Sequence, residues 1–151
     1  MTFVTHLFLY MIICILGECY ILLDQTLRWD EAEIYCNDNY NSSLATIYTP
    51  QQNKIVTDLC LSIPAATGCW IGLYQPTPNS NWYWKENNLT AAYTYWAQVE
   101  PNGGDTENCA EIMIDVYFSN QVWTFPGQWN DQNCSGYAYP ICNEPIKYTG
   151  K

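Results

Sequence analysis

Five side chains that offer oxygen ligands lie in two short segments of this chain, and they constrain its fold more than any other feature. They are Glu100, Asn102, Glu107, Asn130 and Asp131. Calcium takes about six to eight oxygens from carboxylates, amide carbonyls and water, so this donor set suits calcium and does not suit zinc. A bridge between Cys109 and Cys134 would join the two segments into one site.

The alternative is that these residues belong to solvated loops. Asp, Glu, Asn and Gly are common in turns for conformational reasons alone. Judged on the five residues by themselves, the solvated loop is the favoured interpretation.

A longer series of residues favours the calcium site. In chain order it is Trp96, Glu100-Pro101-Asn102, Glu107, Cys109, Trp129-Asn130-Asp131, Cys134 and Cys142. The series resembles the signature of the C-type lectin-like domain. Two apolar segments extend the resemblance over nearly the whole chain after its first residues. The segment 70–73 resembles the family's core strand, and 138–142 resembles its last strand.

The resemblance implies an α+β domain with the C-type lectin-like fold: two helices, short antiparallel sheets and a long irregular loop region that binds calcium. By similarity, the five oxygen donors hold the ion, and Trp129 is a core residue that aims its two neighbours at it. The peptide bond before Pro101 is implied to be cis. The implied disulfides are Cys36–Cys142, Cys109–Cys134 and, as the remaining local pair, Cys60–Cys69.

Periodicity and capping signals predict two helices. The first has Thr26 as its N-cap. The second has Thr49 as its N-cap and Pro50 in the first position, and Gln52 completes a capping box. The buried side of the second helix is predicted to be Ile55, Val56 and Leu59.

The predicted strands are 69–74, 82–84, 93–96, 110–114 and 137–142, with a short strand or extended link at 43–47. Two helices followed by short strands and a long irregular stretch indicate an α+β domain.

An apolar run over 7–16 is too short to cross a membrane as a helix. It is typical of a secretory signal peptide although its first residues include no Lys or Arg, and the alternative is a buried strand or helix. Cleavage after Gly17 would leave seven cysteines. Cleavage after Cys19 leaves six, which favours 1–19 as the leader and 20–151 as the domain. The other interpretation keeps Cys19 for a bond between chains. We expect a secreted, extracellular protein.

Charge and the shortage of histidine argue against several function classes. Without the leader, fourteen acidic residues stand against five basic ones, so nucleic acid and membrane insertion are not expected. The single histidine, His6, lies in the leader, so Ser-His catalysis and zinc hydrolysis lose their usual base. A glycosidase that used two of Glu100, Glu107 and Asp131 would be blocked by calcium on those carboxylates. The sequence therefore predicts no catalytic residue and no enzyme.

The form Glu100-Pro101-Asn102 is similar to that of family members that select mannose-type sugars, the class of mannose, GlcNAc and fucose. In that mode two vicinal hydroxyls bind the ion while the same five side chains contact them. Each domain would bind monosaccharide weakly, so clustering in a homo-oligomer or on multivalent glycans would be needed. The alternative is a lectin-like domain that binds a protein, ice or a mineral surface without sugar.

Three sequons predict surface positions for N-linked glycans. Asn41 and Asn88 are the expected acceptors because both lie in predicted exposed turns. Asn133 is a poorer candidate because it precedes a bridged cysteine.

Overall fold

The computed structural model of the protein describes residues 10–15, 18–119 and 122–144. Within these ranges the helices are α1 (Trp29–Tyr40) and α2 (Pro50–Leu61). The strands are β1 (Tyr10–Ile15), β2 (Glu18–Leu23), β3 (Gly68–Tyr74), β4 (Tyr83–Trp84), β5 (Cys109–Met113), β6 (Tyr117–Ser119), β7 (Val122–Thr124), β8 (Trp129–Gln132) and β9 (Tyr139–Asn143). The α+β class predicted from the sequence is confirmed.

Seven strands form one mixed sheet in the order β1-β2-β9-β3-β5-β8, with β4 paired to β3. Only the contact between β3 and β9 is parallel within this sheet. Strands β6 and β7 pair separately as a hairpin. The sheet thus brings β8, which carries Asn130 and Asp131, beside β5.

Helix α2 begins at the residue that its capping signals predict. The Oγ1 of Thr49 accepts a hydrogen bond from the N–H of Gln52 at 3.2 Å, and the Gln52 side chain accepts from the N–H of Thr49 at 3.0 Å. The predicted apolar side, Ile55, Val56 and Leu59, is buried. Both predictions for this helix are confirmed.

Helix α1 begins later than predicted, and Thr26 as its N-cap is wrong. The N-cap is Arg28, whose backbone N–H donates to the Glu31 carboxylate at 3.1 Å. Leu27 explains the delay, because it exchanges backbone hydrogen bonds with Ala138 at 3.0 and 3.2 Å. The chain must stay extended at Leu27 and can turn into a helix only after it.

Two of the predicted strands are extended links instead. In 93–96 the one bridge joins Trp96 to Trp129, and in 43–47 the one bridge joins Leu44 to Cys142. The prediction of a strand at 93–96 is therefore wrong. For 43–47, which was predicted as a short strand or an extended link, the structure has the extended link. Each link has a single bridged pair, although backbone hydrogen bonds also join 43–47 to β9 and β3 and join Tyr95 to Trp129.

The bridges fasten the helices to the sheet in the pairs that the resemblance implies. They are Cys36–Cys142 between α1 and β9, Cys60–Cys69 between α2 and β3, and Cys109–Cys134 between β5 and the residues after β8. A fourth bridge, Cys14–Cys19, closes the β1–β2 hairpin.

The proposed leader contributes the outermost strand of the sheet. In β1, Met11 and Ile12 remain 44% and 43% exposed. Residues 20–23 of β2 are by contrast almost fully buried, and the pairing of β2 with β9 begins at Tyr20. Within the described residues, neither helix combines the length and apolar character that spanning a membrane requires.

Candidate functional site

Asp131 joins the two donor segments. Its side chain is 2% exposed, and its two carboxylate oxygens accept hydrogen bonds from the backbone N–H groups of Asn102 and Gly103 at 2.9 and 2.8 Å. Asp131 itself is held in register opposite Ala110 of β5. The loop around Pro101 is therefore tied to the sheet by a buried carboxylate.

Glu100 stands at the entry to this loop, and one of its two carboxylate oxygens lacks a hydrogen-bond partner. The Glu100–Pro101 peptide bond is cis. The Oε2 atom of Glu100 is buried and has no hydrogen-bond partner. Burial first, then a hydrogen bond with the Asp131 carboxyl group and the charges of Asp131 and Glu107, raise the pKa of Glu100 to about 7, although a hydrogen bond from the Asn102 backbone acts to lower it. Such a group favours either a proton or a cation.

Glu107 faces the same loop from the other side. Burial and the charge of Asp131 raise the pKa of its carboxyl group. A Cβ added at Gly103 would lie 2.2 Å from both the Cβ and the Oε2 of Glu107. Glycine at 103 thus lets the loop close over Glu107.

Asn130 is oriented by a residue that the sequence did not single out. Its amide nitrogen donates to Oε1 of Glu111 at 3.2 Å across the β5–β8 pair. Burial raises the pKa of Glu111, while hydrogen bonds from Asn130 and Gln132 lower it and the nearby Glu107 raises it. The bond leaves the amide oxygen of Asn130 available to a cation. A carboxylate inside the apolar strand sequence CAEIM was the signal that could have revealed Glu111.

The donor set fits a hard cation by chemistry and charge. The Asp131 and Glu107 carboxylates raise the pKa of Glu100, and Asp131 also raises the pKa of Glu107. Asn130 lies next to Asp131 on β8, and the exposed Asn102 follows Pro101 in the loop. The one ion pair in the described part of the chain, Lys54–Asp58, lies elsewhere on α2. Among the described residues, therefore, no basic side chain pairs with the three carboxylates.

The carboxylates of Glu100, Glu107 and Asp131 lie farther apart than the ligands of a single ion do. In the described ranges, the one set of three Cys, His, Asp or Glu ligand atoms within 4.8 Å of one another is Cys14, Cys19 and Glu144. Those two cysteines form a disulfide, so the set is not a metal site. Opposite oxygens on calcium are about 4.8 Å apart. The carboxylates of Glu100, Glu107 and Asp131 must therefore move closer together to share an ion.

The predicted glycan acceptors are at the surface. Asn41 and Asn88 are exposed in turns with φ of 52° and 57°. Asn133 is exposed as well, and its side-chain oxygen accepts from the N–H of Ser135 at 2.9 Å.

Known proteins share both the sequence pattern and the fold. The C-type lectin lectoxin-Lio1 of Erythrolamprus poecilogyrus is 30% identical over 128 residues, which cover 83% of this chain and 73% of that protein. The mouse scavenger receptor C-type lectin carbohydrate-recognition domain superposes with a TM-score of 0.73 at 21% identity, covering 90% of this chain and 96% of the other. A Ca2+-dependent type II antifreeze protein in its Ca2+-free form superposes with a TM-score of 0.72 at 24% identity, covering 89% and 97%.

The homologues with this domain are non-enzymatic binding proteins. The family model described as "Lectin C-type domain" matches residues 25–144, from just before α1 to just after β9. Since that span includes both helices, the central strands and all five oxygen donors, the chain belongs to the C-type lectin domain family.

Proposed function

We propose that this protein binds mannose-type sugars through a calcium ion held by Glu100, Asn102, Glu107, Asn130 and Asp131. The observation that carries the proposal is the Oε2 atom of Glu100, which is buried without a hydrogen-bond partner, on a side chain that lies beside two further carboxylates. Concentrated negative charge without a basic neighbour is costly unless a cation neutralises it. C-type lectin domains generally bind calcium, which agrees with this choice of ion.

Bound calcium supplies coordination positions for two vicinal sugar hydroxyls. Around them, the carboxylates of Glu100 and Glu107 accept hydrogen bonds, and the amide groups of Asn102 and Asn130 donate them. Asp131 holds the loop through its two backbone contacts. In this order, Glu100 would accept a hydrogen bond from one sugar hydroxyl and Asn102 would donate one to the other hydroxyl. This arrangement of acceptor and donor supports mannose-type specificity.

A glycan array probed with and without a calcium chelator tests the proposal. We expect binding to glycans ending in mannose, GlcNAc or fucose, lost on chelation and restored by calcium. Binding that is unchanged by the chelator would contradict the proposal. Calcium binding without any glycan would favour recognition of a protein, ice or mineral surface.

The specificity is tested by exchanging the acceptor and donor in Glu100→Gln with Asn102→Asp. The exchange keeps the number of carboxylates and amides, so calcium affinity should stay within about threefold while preference moves from mannose towards galactose. Calcium and both monosaccharides are titrated by calorimetry. An intact calcium affinity with unchanged mannose preference would show that this pair does not read the sugar.

The protein acts outside the cell under this proposal. Residues 1–19 serve as a signal peptide, and the remaining bridges form in an oxidising compartment. A site of this kind supplies few contacts, and a millimolar dissociation constant corresponds to only about 4 kcal/mol. Clustered domains or multivalent glycans then provide useful avidity.

A further inference from the structure

Trp129 is hydrogen-bonded to α2, a helix that is remote from it in sequence. Its indole is fully buried and packs edge-on against Trp84, Tyr93 and Trp96, with ring centroids 5.8, 5.7 and 5.8 Å away. The indole N–H donates to Oδ1 of Asn53 on α2 at 2.7 Å. A buried N–H that loses its acceptor is costly, so this bond fixes how the indole sits among the rings.

The same amide also holds the residues that lead into β8. Asn53 is 6% exposed, and its Nδ2 donates to the carbonyl oxygen of Gly127 at 3.0 Å. Gly127 has φ of 93°, and a Cβ there would lie 2.9 Å from Oγ1 of Thr57. The turn before β8 thus packs against α2. The Asn53 amide offers an acceptor to Trp129 and a donor to Gly127 together, whereas Asp would lack the donor and Leu would lack both.

The backbone of Trp129 connects the buried indole to both segments that carry the proposed calcium ligands. Its N–H donates to the carbonyl of Tyr95 at 2.8 Å, and its carbonyl accepts from the N–H of Ala97 at 2.9 Å. The carbonyl of Ala97 in turn accepts from the N–H of Glu100 at 3.0 Å. On the other side, Asn130 follows Trp129 directly. One residue therefore sets the spacing between the two halves of the site.

We propose that Asn53 is a positioning residue for the calcium site, acting through Trp129 and without touching the ion. The inference rests on the proposed function, since it deepens the account of the same site. Loss of the amide frees the indole and the turn at Gly127, and the donor segments on either side of Trp129 then lose their relative placement. Groups that orient metal ligands typically change affinity by about 10- to 100-fold when they are removed.

The test compares calcium affinity in Asn53→Ala and Gln52→Ala, measured well below the melting temperature of each variant. Gln52 is a matched control because it is the adjacent residue on α2, is 7% exposed and also uses its amide in hydrogen bonds, but to Thr49 and Tyr48. We expect Asn53→Ala to weaken calcium binding by about tenfold and Gln52→Ala by less than about twofold, even where both lower the melting temperature alike.

A second variant isolates the hydrogen bond and serves if Asn53→Ala does not fold. Trp129→Phe keeps an aromatic ring and removes the N–H donor, so it should weaken calcium binding by about fivefold or more. Adding Asn53→Ala to Trp129→Phe should then cost less than about twofold further, because the shared bond is already gone.

The outcomes separate this inference from the proposed function. If the unsubstituted chain binds no calcium, both are overturned. If it binds calcium, and Asn53→Ala or a folded Trp129→Phe leaves the affinity unchanged, the positioning role alone is overturned. Equal losses in Asn53→Ala and Gln52→Ala would also overturn it, because they would reflect general loosening of α2.

Discussion

Glu100 should make calcium binding depend on pH. Its pKa is raised to about 7 from 4.5, so without calcium the folded protein holds a proton there that the unfolded chain has released. The contribution of this group to stability is therefore full below about pH 4.5 and is lost as pH rises towards about 7. Calcium requires the ionised carboxylate. Below about pH 7 binding must displace the proton, and affinity should fall by up to about tenfold per pH unit.

Calcium titrations between about pH 5.5 and pH 8 measure this dependence. The raised pKa of Glu107 acts in the same direction. The control is the melting temperature in chelator, which should fall as pH rises through the same interval because the apo site gains unpaired charge. A calcium affinity that stays constant from pH 5.5 to 8 would contradict this account of the carboxylates.

The sequence was informative about residues that lie close together in the chain, or that match a family motif, and less so about distant partners. It named the five side chains of the proposed calcium site, which stay a prediction. It missed Asn53 and Glu111, because their partners lie 76 and 19 residues away and no local rule links them. Glu111 left a signal nonetheless, because it is a carboxylate inside the apolar strand sequence CAEIM, where a polar group needs a partner. Asn53 left no such signal, because the polar residues Gln52 and Lys54 flank it on α2.

At the scale of elements, the capping box of α2 and the corrected start of α1 can be tested together. Thr49→Ala removes the oxygen that accepts the N–H of Gln52 and should cost about 1 kcal/mol of the free energy of unfolding. That corresponds to a melting temperature lower by about 3 °C. Calorimetry in chelator gives both values.

Thr26→Ala is the matched substitution, since Thr26 is exposed and lies ahead of the true N-cap, Arg28. It should change the melting temperature by less than about 1 °C. Equal effects of the two substitutions would mean that the start of α1 is wrongly placed.

Elements whose ends carry local signals were predictable, and those created by long-range pairing were not. The capping box predicted the first residue of α2 correctly. The delayed start of α1 depends on Leu27 pairing with Ala138, a contact that spans nearly the whole domain. Strand β8 escaped prediction because its inward side alternates Trp129 with Asp131, and a buried carboxylate does not look like a core position.

For the whole molecule, the fold should survive removal of the proposed leader. A chain that begins at Tyr20 loses β1 and the Cys14–Cys19 bridge but keeps the buried residues of β2 and their pairing with β9. We expect it to melt cooperatively and to bind calcium as the full chain does. A chain that begins at Asp24 lacks those four buried residues and should not fold.

The intact mass of the secreted protein shows where the cut falls. Cleavage after Cys19 would leave six cysteines, all in bridges. A secreted protein that retains β1, or a chain from Tyr20 that fails to fold, would show that the first strand belongs to the domain.

In the proposed site, five side chains from two segments hold one ion, and this ion holds the sugar. This arrangement is tested most directly by a crystal structure of the protein with calcium and methyl mannoside. The account predicts one calcium in contact with Glu100, Asn102, Glu107, Asn130 and Asp131, with two vicinal hydroxyls of the sugar on the same ion. A sugar bound away from the ion, or calcium bound by other residues, would contradict it.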